Sequence, residues 1–418
     1  MSARTTAPAA AHVPAQRRIL AVLVFSQALS GAGLAAGITV GALLAEEMLG
    51  STGPAGVPSA LFTAGAALGA VGIGRLCRRW GRRPGLALGY GAGALGSLGV
   101  VAAAAVGSVP LLFLSLLVYG AGTATNLMAR YAGADLAPPE RRGRAVSTVL
   151  FATTLGAVIG PNLVTVTGNM AHAWGIPRLA GPFLLAVAAF GTAGVVLAVL
   201  LRPDPLWPAR APAEDRPAPD PDGPTAADGG AAARSVRRRG LVTGTAVMVI
   251  GQLVMIAIMT MTPVHLLAHG HGTQTAGWVI ALHVGAMFLP SPLTGLLVDR
   301  IGRLRMAAAS GVTLSAAGVL AAVAPPHGLP ALAVALVLLG LGWNFGLISG
   351  TALVTDALPP ARRASVQGLV DVGIAIAGAA GGMSSGLVVA LGGFPALALA
   401  GGLLALAVIP VVASAARR

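Results

Sequence analysis

The chain has 418 residues, of which 56% are hydrophobic and only 10% are charged, and its mean hydropathy is +0.82. This composition lies outside the range of soluble globular domains and predicts an integral membrane protein. The formal charge of +14 does not indicate nucleic-acid binding, because all 27 basic residues are arginines that cluster between apolar segments.

Apolar runs recur along most of the chain, and each is long enough to cross a hydrocarbon core about 30 Å thick. We count twelve, which predicts an all-α integral membrane fold with twelve transmembrane helices. Their approximate limits are 18–45, 55–76, 85–106, 109–131, 145–169, 179–201, 240–268, 275–298, 306–324, 329–354, 364–391 and 393–415.

The arginines predict the orientation of these spans. Counted from an inside N-terminus, they fall in the even-numbered loops and in both tails, and only Arg178 lies on the other side. Cytoplasmic loops are enriched in basic residues, so both termini are predicted to be cytoplasmic. We expect a multi-pass protein of the bacterial inner membrane, with the lipid bilayer as partner, no nucleic-acid partner and a monomeric state.

A segment rich in proline and aspartate, residues 202–239, divides the chain into six spans before it and six after it. Its composition predicts a cytoplasmic linker without fixed structure. The domains are therefore a disordered N-terminal tail (1–16), an N-terminal six-helix bundle (17–201), the linker (202–239) and a C-terminal six-helix bundle (240–416).

The two bundles are predicted to be parallel repeats. Residues 74–82 align with 295–303, and residues 135–142 align with 356–363, each with an offset of 221. Two separate loops that share one offset indicate a duplication, and such repeats are a transporter architecture.

The loop motif Gly295-x-Leu-x-Asp299-Arg300-x-Gly302-Arg303 resembles the signature between the second and third helices of each half in the major facilitator superfamily. The resemblance implies a secondary active transporter that works by alternating access. The glycines permit a tight turn, and Asp299 with the arginines could form a conformational gate at the cytoplasmic end. The other interpretation is that these arginines only set the orientation. Arg78 replaces the aspartate in the first copy, which predicts that this copy cannot make the same contact.

Methionine and histidine are concentrated in the seventh and eighth spans. Met255 with Met259, and His283 with Met287, are each spaced i, i+4 and so lie on one face of a helix. Thioether and imidazole ligands suit copper(I), although methionine is also a common packing residue in membranes. The asymmetry between halves favours a local function, because the matching positions of the first half carry no such ligands; they are Leu34, Ile38, Phe62 and Ala66.

The same two pairs resemble those of the major facilitator copper importers that feed cytochrome oxidase assembly in bacteria. That resemblance implies that Met255, Met259, His283 and Met287 pass copper across the membrane, as transported substrate and not as cofactor. Copper import is therefore the leading prediction. Close relatives in that subgroup are thought to move riboflavin.

Other polar residues are further candidates for a functional role. Asp371 is the candidate for ion coupling; the other interpretation is a hydrogen bond between helices or a pair with Arg362 or Arg363. Gln252, Asn126 and Asn344 could line a cavity for an organic solute. Three histidines at the outer end of span 7 could collect metal, but solvated loop residues are the expected interpretation; they are His265, His269 and His271.

Two rival functions remain. The first is an organic-solute carrier, for riboflavin uptake or for multidrug efflux by proton antiport, since Gly156-x-x-x-Gly160-Pro161 partly resembles an antiporter motif. The second is a non-transporting membrane sensor or assembly partner. An enzyme is not predicted, because the sequence shows no nucleophile, acid pair or phosphate-binding loop.

Overall fold

The computed structural model describes residues 7–49, 56–206, 226–325 and 328–416. Regular structure in these ranges is helical, with short 3-10 turns at Pro139–Arg141 and Arg178–Ala180. The α-helices are α1 (Ala7–Leu49), α2 (Gly56–Trp80), α3 (Arg82–Val106), α4 (Val109–Asp135), α5 (Arg142–Asn162), α6 (Val164–Ala173), α7 (Gly181–Leu200), α8 (Ala226–Ala268), α9 (Thr273–Phe288), α10 (Ser291–Ile301), α11 (Arg303–Val323), α12 (Leu329–Ala357), α13 (Pro360–Leu406) and α14 (Val408–Ala416).

The predicted all-α membrane fold is confirmed. Within the described ranges, nine helical segments are long and apolar enough to cross a membrane, and one of them, Pro360–Ala416, covers the last two predicted spans. The first predicted run lies in α1, and the fifth is divided between α5 and α6 at Leu163. Each of the twelve predicted runs therefore falls on helical structure. Some runs match a single helix or part of one, and others extend over two consecutive helices.

Short connections between helices follow from local chemistry. α3 is terminated by Gly107, the residue after its last turn, whose φ of 67° is in the left-handed region that glycine adopts readily. The next residue, Ser108, caps α4 by accepting a hydrogen bond from the backbone N–H of Leu111. α13 continues past a break at Gly393, where φ is 77°, so the last two predicted spans are joined without a long loop.

Two helices begin earlier than the apolar pattern indicates. α1 begins at Ala7 and α8 at Ala226, so residues 7–16 and 226–239 are helical where the sequence predicted a disordered tail and a linker. Both stretches are rich in alanine, the residue with the highest helix propensity, and each leads directly into a membrane helix. The rest of the predicted tail and half of the predicted linker, residues 207–225, lie outside the described residues.

The chain divides into two compact units. Unit 1 comprises Met1–Ala137, Ala145–Leu206 and Ala364–Ile376, and unit 2 comprises Pro138–Arg144, Trp207–Arg363 and Ala377–Arg418. The units follow the predicted bundles except that two short segments, 138–144 and 364–376, group with the other half.

Unit 1 is held by aromatic packing and by close helix crossings. Tyr119 lies 5.6 Å from Phe183 and 5.7 Å from Phe190 between ring centroids. Where α2 crosses α4, a Cβ atom on Gly120 would lie 2.4 Å from the carbonyl oxygen of Phe62. Such small-residue contacts are how membrane helices approach closely, since lipid provides no hydrophobic force between them.

Candidate functional site

The repeated loop has the same backbone in both halves. Gly81 and Gly302, which are 221 residues apart, have φ values of 100° and 105° and precede α3 and α11 directly. A side chain would be strained at such angles, so glycine is required at both turns. The turn therefore places the arginine that follows each glycine, Arg82 or Arg303, at the start of a helix.

Asp299 caps the start of α5 within unit 2. Its carboxylate accepts hydrogen bonds from the backbone N–H groups of Gly143, at 2.8 Å, and Arg144, at 3.0 Å. An acidic group at a helix N-terminus satisfies free N–H donors and interacts favourably with the helix dipole. The start of α5 lies close to α10 here, because a Cβ atom on Gly143 would lie 2.7 Å from the carbonyl oxygen of Gly295.

Arg303 extends the same cluster. Its Nε lies 2.6 Å from a carboxylate oxygen of Asp356, which also pairs with Arg142. Arg303 also donates to the carbonyl oxygen of Pro139. Arg300, by contrast, is exposed. Four of the five predicted gate residues thus form or shape this contact, and Arg300 lies at its edge.

The first copy contains an ion pair that was not predicted from the sequence. Arg82 Nε lies 2.8 Å from Asp135 Oδ2, both side chains are fully buried, and Arg82 also donates to Gln367. An offset of 221 maps this pair onto Arg303 and Asp356, so the repeat could have indicated it. The first copy therefore lacks the aspartate at position 78 but retains the arginine–aspartate pair.

Asp371 pairs with Arg130 in unit 1. Its Oδ1 lies 2.6 Å from Arg130 Nη2 and accepts a hydrogen bond from the hydroxyl of Tyr131 at 3.4 Å. The hydrogen bond between helices that the sequence allowed is thus present, between α4 and α13, whereas the predicted pair with Arg362 or Arg363 is corrected; Arg363 donates to the carbonyl of Leu358. The sequence offered one signal, since Arg130 lies inside the fourth apolar run, where a basic residue needs a partner.

Polar and aromatic side chains from three helices meet in unit 2. Trp343 Nε1 of α12 donates to Gln252 Oε1 of α8 at 2.7 Å, and Phe288 of α9 contacts the Trp343 ring edge-on at 5.7 Å. Asn344 donates to the carbonyl of Met287 at 2.7 Å and to Ser291 Oγ at 2.8 Å. Of the predicted cavity residues, Gln252 thus contacts Trp343, whereas Asn344 contacts the end of α9 and the start of α10; the roles of Trp343 and Phe288 were not predicted from the sequence.

His283 is fully buried and is oriented by α12. Its Nδ1 lies 2.8 Å from the carbonyl oxygen of Leu336, which can only accept, so Nδ1 carries the proton. Its Nε2 has no hydrogen-bond partner in the described part of the chain. In the neutral ring this nitrogen presents a lone pair, as a metal-binding histidine does.

The predicted methionine ligands differ in burial. Met255 and Met287 are buried and Met259 is half-buried, but α9 packs more extensively against α12 than against α8. Among the residues that the structure describes, no three His, Cys, Asp or Glu side chains lie close enough together to hold a metal ion. At the outer end of α8, the ring of His265 stacks on Phe394 at 4.4 Å and lies 4.3 Å from that of His269.

Asn126, the third predicted cavity residue, lies in a closed network in unit 1. Its Nδ2 donates to Ser30 Oγ at 2.9 Å, and the backbone carbonyl oxygen of Asn126 accepts from Gln27 Nε2 at 3.0 Å. The Tyr90 hydroxyl donates to Gln27 Oε1. Thr153 of α5 joins the network by accepting a hydrogen bond from Gln27. These side chains are buried and bonded to one another, so the network links α1, α3, α4 and α5 of this unit.

Comparison with known proteins identifies the fold and the family. A sequence model of the Major Facilitator Superfamily matches residues 20–276 and 253–417. The human organic anion transporter MFSD10 has a similar structure, with a TM-score of 0.76 at 17% identity over 95% of this chain and 99% of that one. At that identity the likeness shows the fold alone.

Two bacterial relatives are closer in sequence. The chain is 55% identical over 396 residues to the uncharacterized MFS-type transporter YdeG of Bacillus subtilis, which covers 95% of this chain and 91% of that one. It is 32% identical over 365 residues to the riboflavin transporter RfnT of Brucella anthropi, with 85% of each chain covered. Neither is described as a copper importer, so copper transport stays a prediction. The chain belongs to the Major Facilitator Superfamily and is a multi-pass membrane transporter, not an enzyme.

Proposed function

We propose that the chain carries riboflavin, or a closely related flat heteroaromatic solute, across the bacterial inner membrane by alternating access. The observation that carries this proposal is the contact of Trp343 with Gln252 and Phe288 in unit 2. The riboflavin transporter RfnT, which is 32% identical, supports the substrate class. The distribution of arginines supports an orientation with both termini in the cytoplasm.

The chemistry of this cluster suits a flavin-like ring. Aromatic side chains stack on flat heterocycles, and each such contact contributes about 0.5–1.5 kcal/mol beyond the area buried. Gln252 uses its Oε1 for Trp343, which leaves its amide nitrogen to donate toward a ring carbonyl. Asn344 Oδ1 and His283 Nε2 are buried and without a hydrogen-bond partner in the described residues, and either can accept a hydrogen bond from a solute hydroxyl or ring N–H.

Uptake of radiolabelled riboflavin by proteoliposomes that contain the purified chain tests the proposal. Trp343→Leu removes the aromatic surface and the indole donor together. We expect the initial rate to fall at least about tenfold, because one stacking contact and one hydrogen bond are lost. Trp278→Leu is the matched control, since Trp278 lies on α9 but is 67% exposed, and its uptake should equal that of the unaltered chain.

Saturable riboflavin uptake that Trp343→Leu does not change would contradict the placement of the site. The absence of any riboflavin uptake by correctly folded protein would contradict the substrate class.

Copper import remains a second candidate, and His283 favours it. A buried imidazole with Nδ1 held by a carbonyl and Nε2 without a hydrogen-bond partner in the described residues is arranged like a metal ligand, with Met287 one turn away. In this case Met255, Met259, His283 and Met287 would be the soft ligands.

Copper uptake in the same proteoliposomes separates the two candidates. A copper importer should lose uptake in Met255→Leu and in His283→Ala while Trp343→Leu has little effect. A riboflavin carrier should show the reverse dependence. Unchanged copper uptake in both ligand variants would exclude the metal proposal.

We also propose roles for the charged clusters in the transport cycle. Asp299, with Gly295, Gly302, Arg303 and the edge residue Arg300, acts as the conformational gate, because carboxylate-to-backbone contacts at a helix end can form and break as a set. Asp371 is the ion-coupling residue, because its pairing with the buried Arg130 depends on its charge.

A further inference from the structure

The residues that follow α7 are packed into unit 1. The sequence predicts that an unstructured linker begins at residue 202, but Leu201 and Leu206 are both fully buried in the core of this unit. Between them, the half-buried Asp204 accepts a hydrogen bond from the backbone N–H of Leu206 at 2.9 Å, which orients its carboxylate. Residues 201–206, which we name the connector, therefore have a defined structure.

The carboxylate of Asp204 caps α3. Its Oδ1 accepts a hydrogen bond from the backbone N–H of Arg82 at 3.0 Å, and its Oδ2 accepts one from the backbone N–H of Arg83 at 2.8 Å. Both donors lie in the first turn of α3, where N–H groups have no acceptor within the helix. The residue at the cap position, Gly81, has no side chain that could accept them. An acid from the connector thus satisfies these donors and interacts favourably with the helix dipole.

Arg82 is held through its backbone and through its side chain. Its backbone N–H is bonded to Asp204, whereas its guanidinium group pairs with Asp135 at 2.8 Å and donates to Gln367. A fully buried ion pair is stable only in good geometry, because close approach of the charges must offset their loss of hydration. A shift of the backbone at the start of α3 would therefore weaken the pair between Arg82 and Asp135.

A buried thiol lies beneath the same turn. Cys77 is the single cysteine of the chain and is fully buried, and its carbonyl oxygen accepts a hydrogen bond from the N–H of Gly81 at 3.0 Å. A Cβ atom on Gly85, near the start of α3, would lie 2.3 Å from Cys77 Sγ. The start of α3 thus covers the thiol, so a reagent reaches it only when this part of the structure opens.

We propose that Asp204 is a positioning residue for transport, which holds the start of α3 so that Arg82 stays aligned with Asp135. It acts through Arg82 and contacts no solute. Its loss should make the start of α3 open more often and should slow turnover without a change in the affinity for the solute. Asparagine also caps helices well, so Asp204→Asn should retain most of the function.

Labelling of Cys77 with N-ethylmaleimide in the native full-length chain tests the proposal without any solute. The rate, followed by mass spectrometry, should rise about tenfold in Asp204→Ala, because loss of a helix cap shifts the opening equilibrium by about this factor. Asp204→Asn should change it by about twofold at most. The matched control is Ser108→Ala, which removes the cap of α4 at the opposite end of α3 and should leave the rate unchanged.

Transport kinetics separate a positioning role from a purely structural one. In proteoliposomes, the turnover of riboflavin should fall about tenfold in Asp204→Ala with KM unchanged, and Asp204→Asn should recover most of it. This measurement rests on the proposed function, whereas labelling of Cys77 does not. Expected labelling without any riboflavin uptake would therefore contradict the substrate class and support the role of Asp204.

A second variant keeps the labelling test decisive if Asp204→Ala does not fold. Leu206→Ala keeps the carboxylate but removes a buried anchor of the connector, so it should also speed labelling of Cys77.

Three results would overturn the proposal. Labelling at the wild-type rate in Asp204→Ala or, in its place, in Leu206→Ala would mean that the connector does not hold the start of α3. Equal acceleration in Ser108→Ala would mean that labelling follows general stability. Normal turnover in Asp204→Ala, despite faster labelling, would mean that the cap serves folding alone.

Discussion

Arg82 and Asp135 form a fully buried ion pair at 2.8 Å, and the same two residue types pair again, 221 positions later, as Arg303 and Asp356. The second pair differs in its surroundings, because Arg303 is 20% and Asp356 30% exposed. Removing one partner of a buried pair leaves an uncompensated charge, whereas an exposed charge is stabilised by water. The two ion pairs therefore have similar geometry, but loss of the buried pair should cost more free energy of unfolding.

The first prediction compares these two pairs. Asp135→Asn should destabilise the protein by about 3–5 kcal/mol, because Arg82 stays buried without a counter-charge. Asp356→Asn should cost about 1 kcal/mol or less. The apparent midpoint of thermal unfolding in detergent should fall clearly in the first variant and little in the second. Equal shifts would show that burial does not distinguish the pairs.

The second prediction concerns ion coupling through Asp371. Asp371→Asn should abolish accumulation of solute against its gradient and preserve exchange of labelled for unlabelled solute, because only the driving reaction needs the titratable carboxylate. The double variant Arg130→Gln/Asp371→Asn should recover folding stability, since no buried charge is left unpaired, and should remain uncoupled. Accumulation by Asp371→Asn at the wild-type level would exclude a coupling role.

The third prediction tests the contact between Asp299 and α5. Gly143→Ala places a methyl group 2.7 Å from the carbonyl oxygen of Gly295 and 2.8 Å from Asp299 Oδ1, so the helix start must move. We expect the transport rate to fall at least about tenfold, since displacement of the cap lengthens both of its hydrogen bonds. Gly72→Ala on α2 is the control, because an added Cβ there meets nothing within 4 Å. A normal rate in Gly143→Ala would remove Asp299 from the gate.

The fourth prediction concerns the closed network of unit 1. Gln27→Leu removes the acceptor of the Tyr90 hydroxyl and the donor to the Asn126 carbonyl. Buried polar groups left without partners cost about 1–3 kcal/mol, so the unfolding midpoint should fall. Gln274→Leu on α9, where the side chain is exposed, should leave it unchanged. Retention of wild-type stability by Gln27→Leu would mean that these groups find other partners.

The span pattern was predictable from sequence because hydropathy acts locally and each span carries its own signal. The turn at Gly302 was also predictable, since the motif and its copy at Gly81 share an offset. The helical starts at Ala7 and Ala226 were missed, because polar and proline-containing flanks looked unstructured although alanine favours helix there.

Contacts between residues far apart in the chain were harder to predict from the sequence. The partner of Asp371 is Arg130, 241 residues away, and no local pattern joins them. The sequence predicted Gln252 and Asn344 as cavity residues, but the contact of Gln252 with Trp343 and that of Asn344 with the Met287 carbonyl depend on how α8, α9 and α12 pack. The predicted metal pairs lie on α8 and α9 as expected, and their role stays a prediction.

The unequal exposure of the two repeated ion pairs provides a way to perturb one half of the transporter without a mutation. Mobile ions screen charges that water reaches, over about 8 Å at physiological ionic strength, and they hardly affect charges sealed from solvent. Added salt should therefore loosen the cluster around Asp356 and leave Arg82–Asp135 intact. Ionic strength thus becomes a control variable that acts selectively on the second copy of the loop.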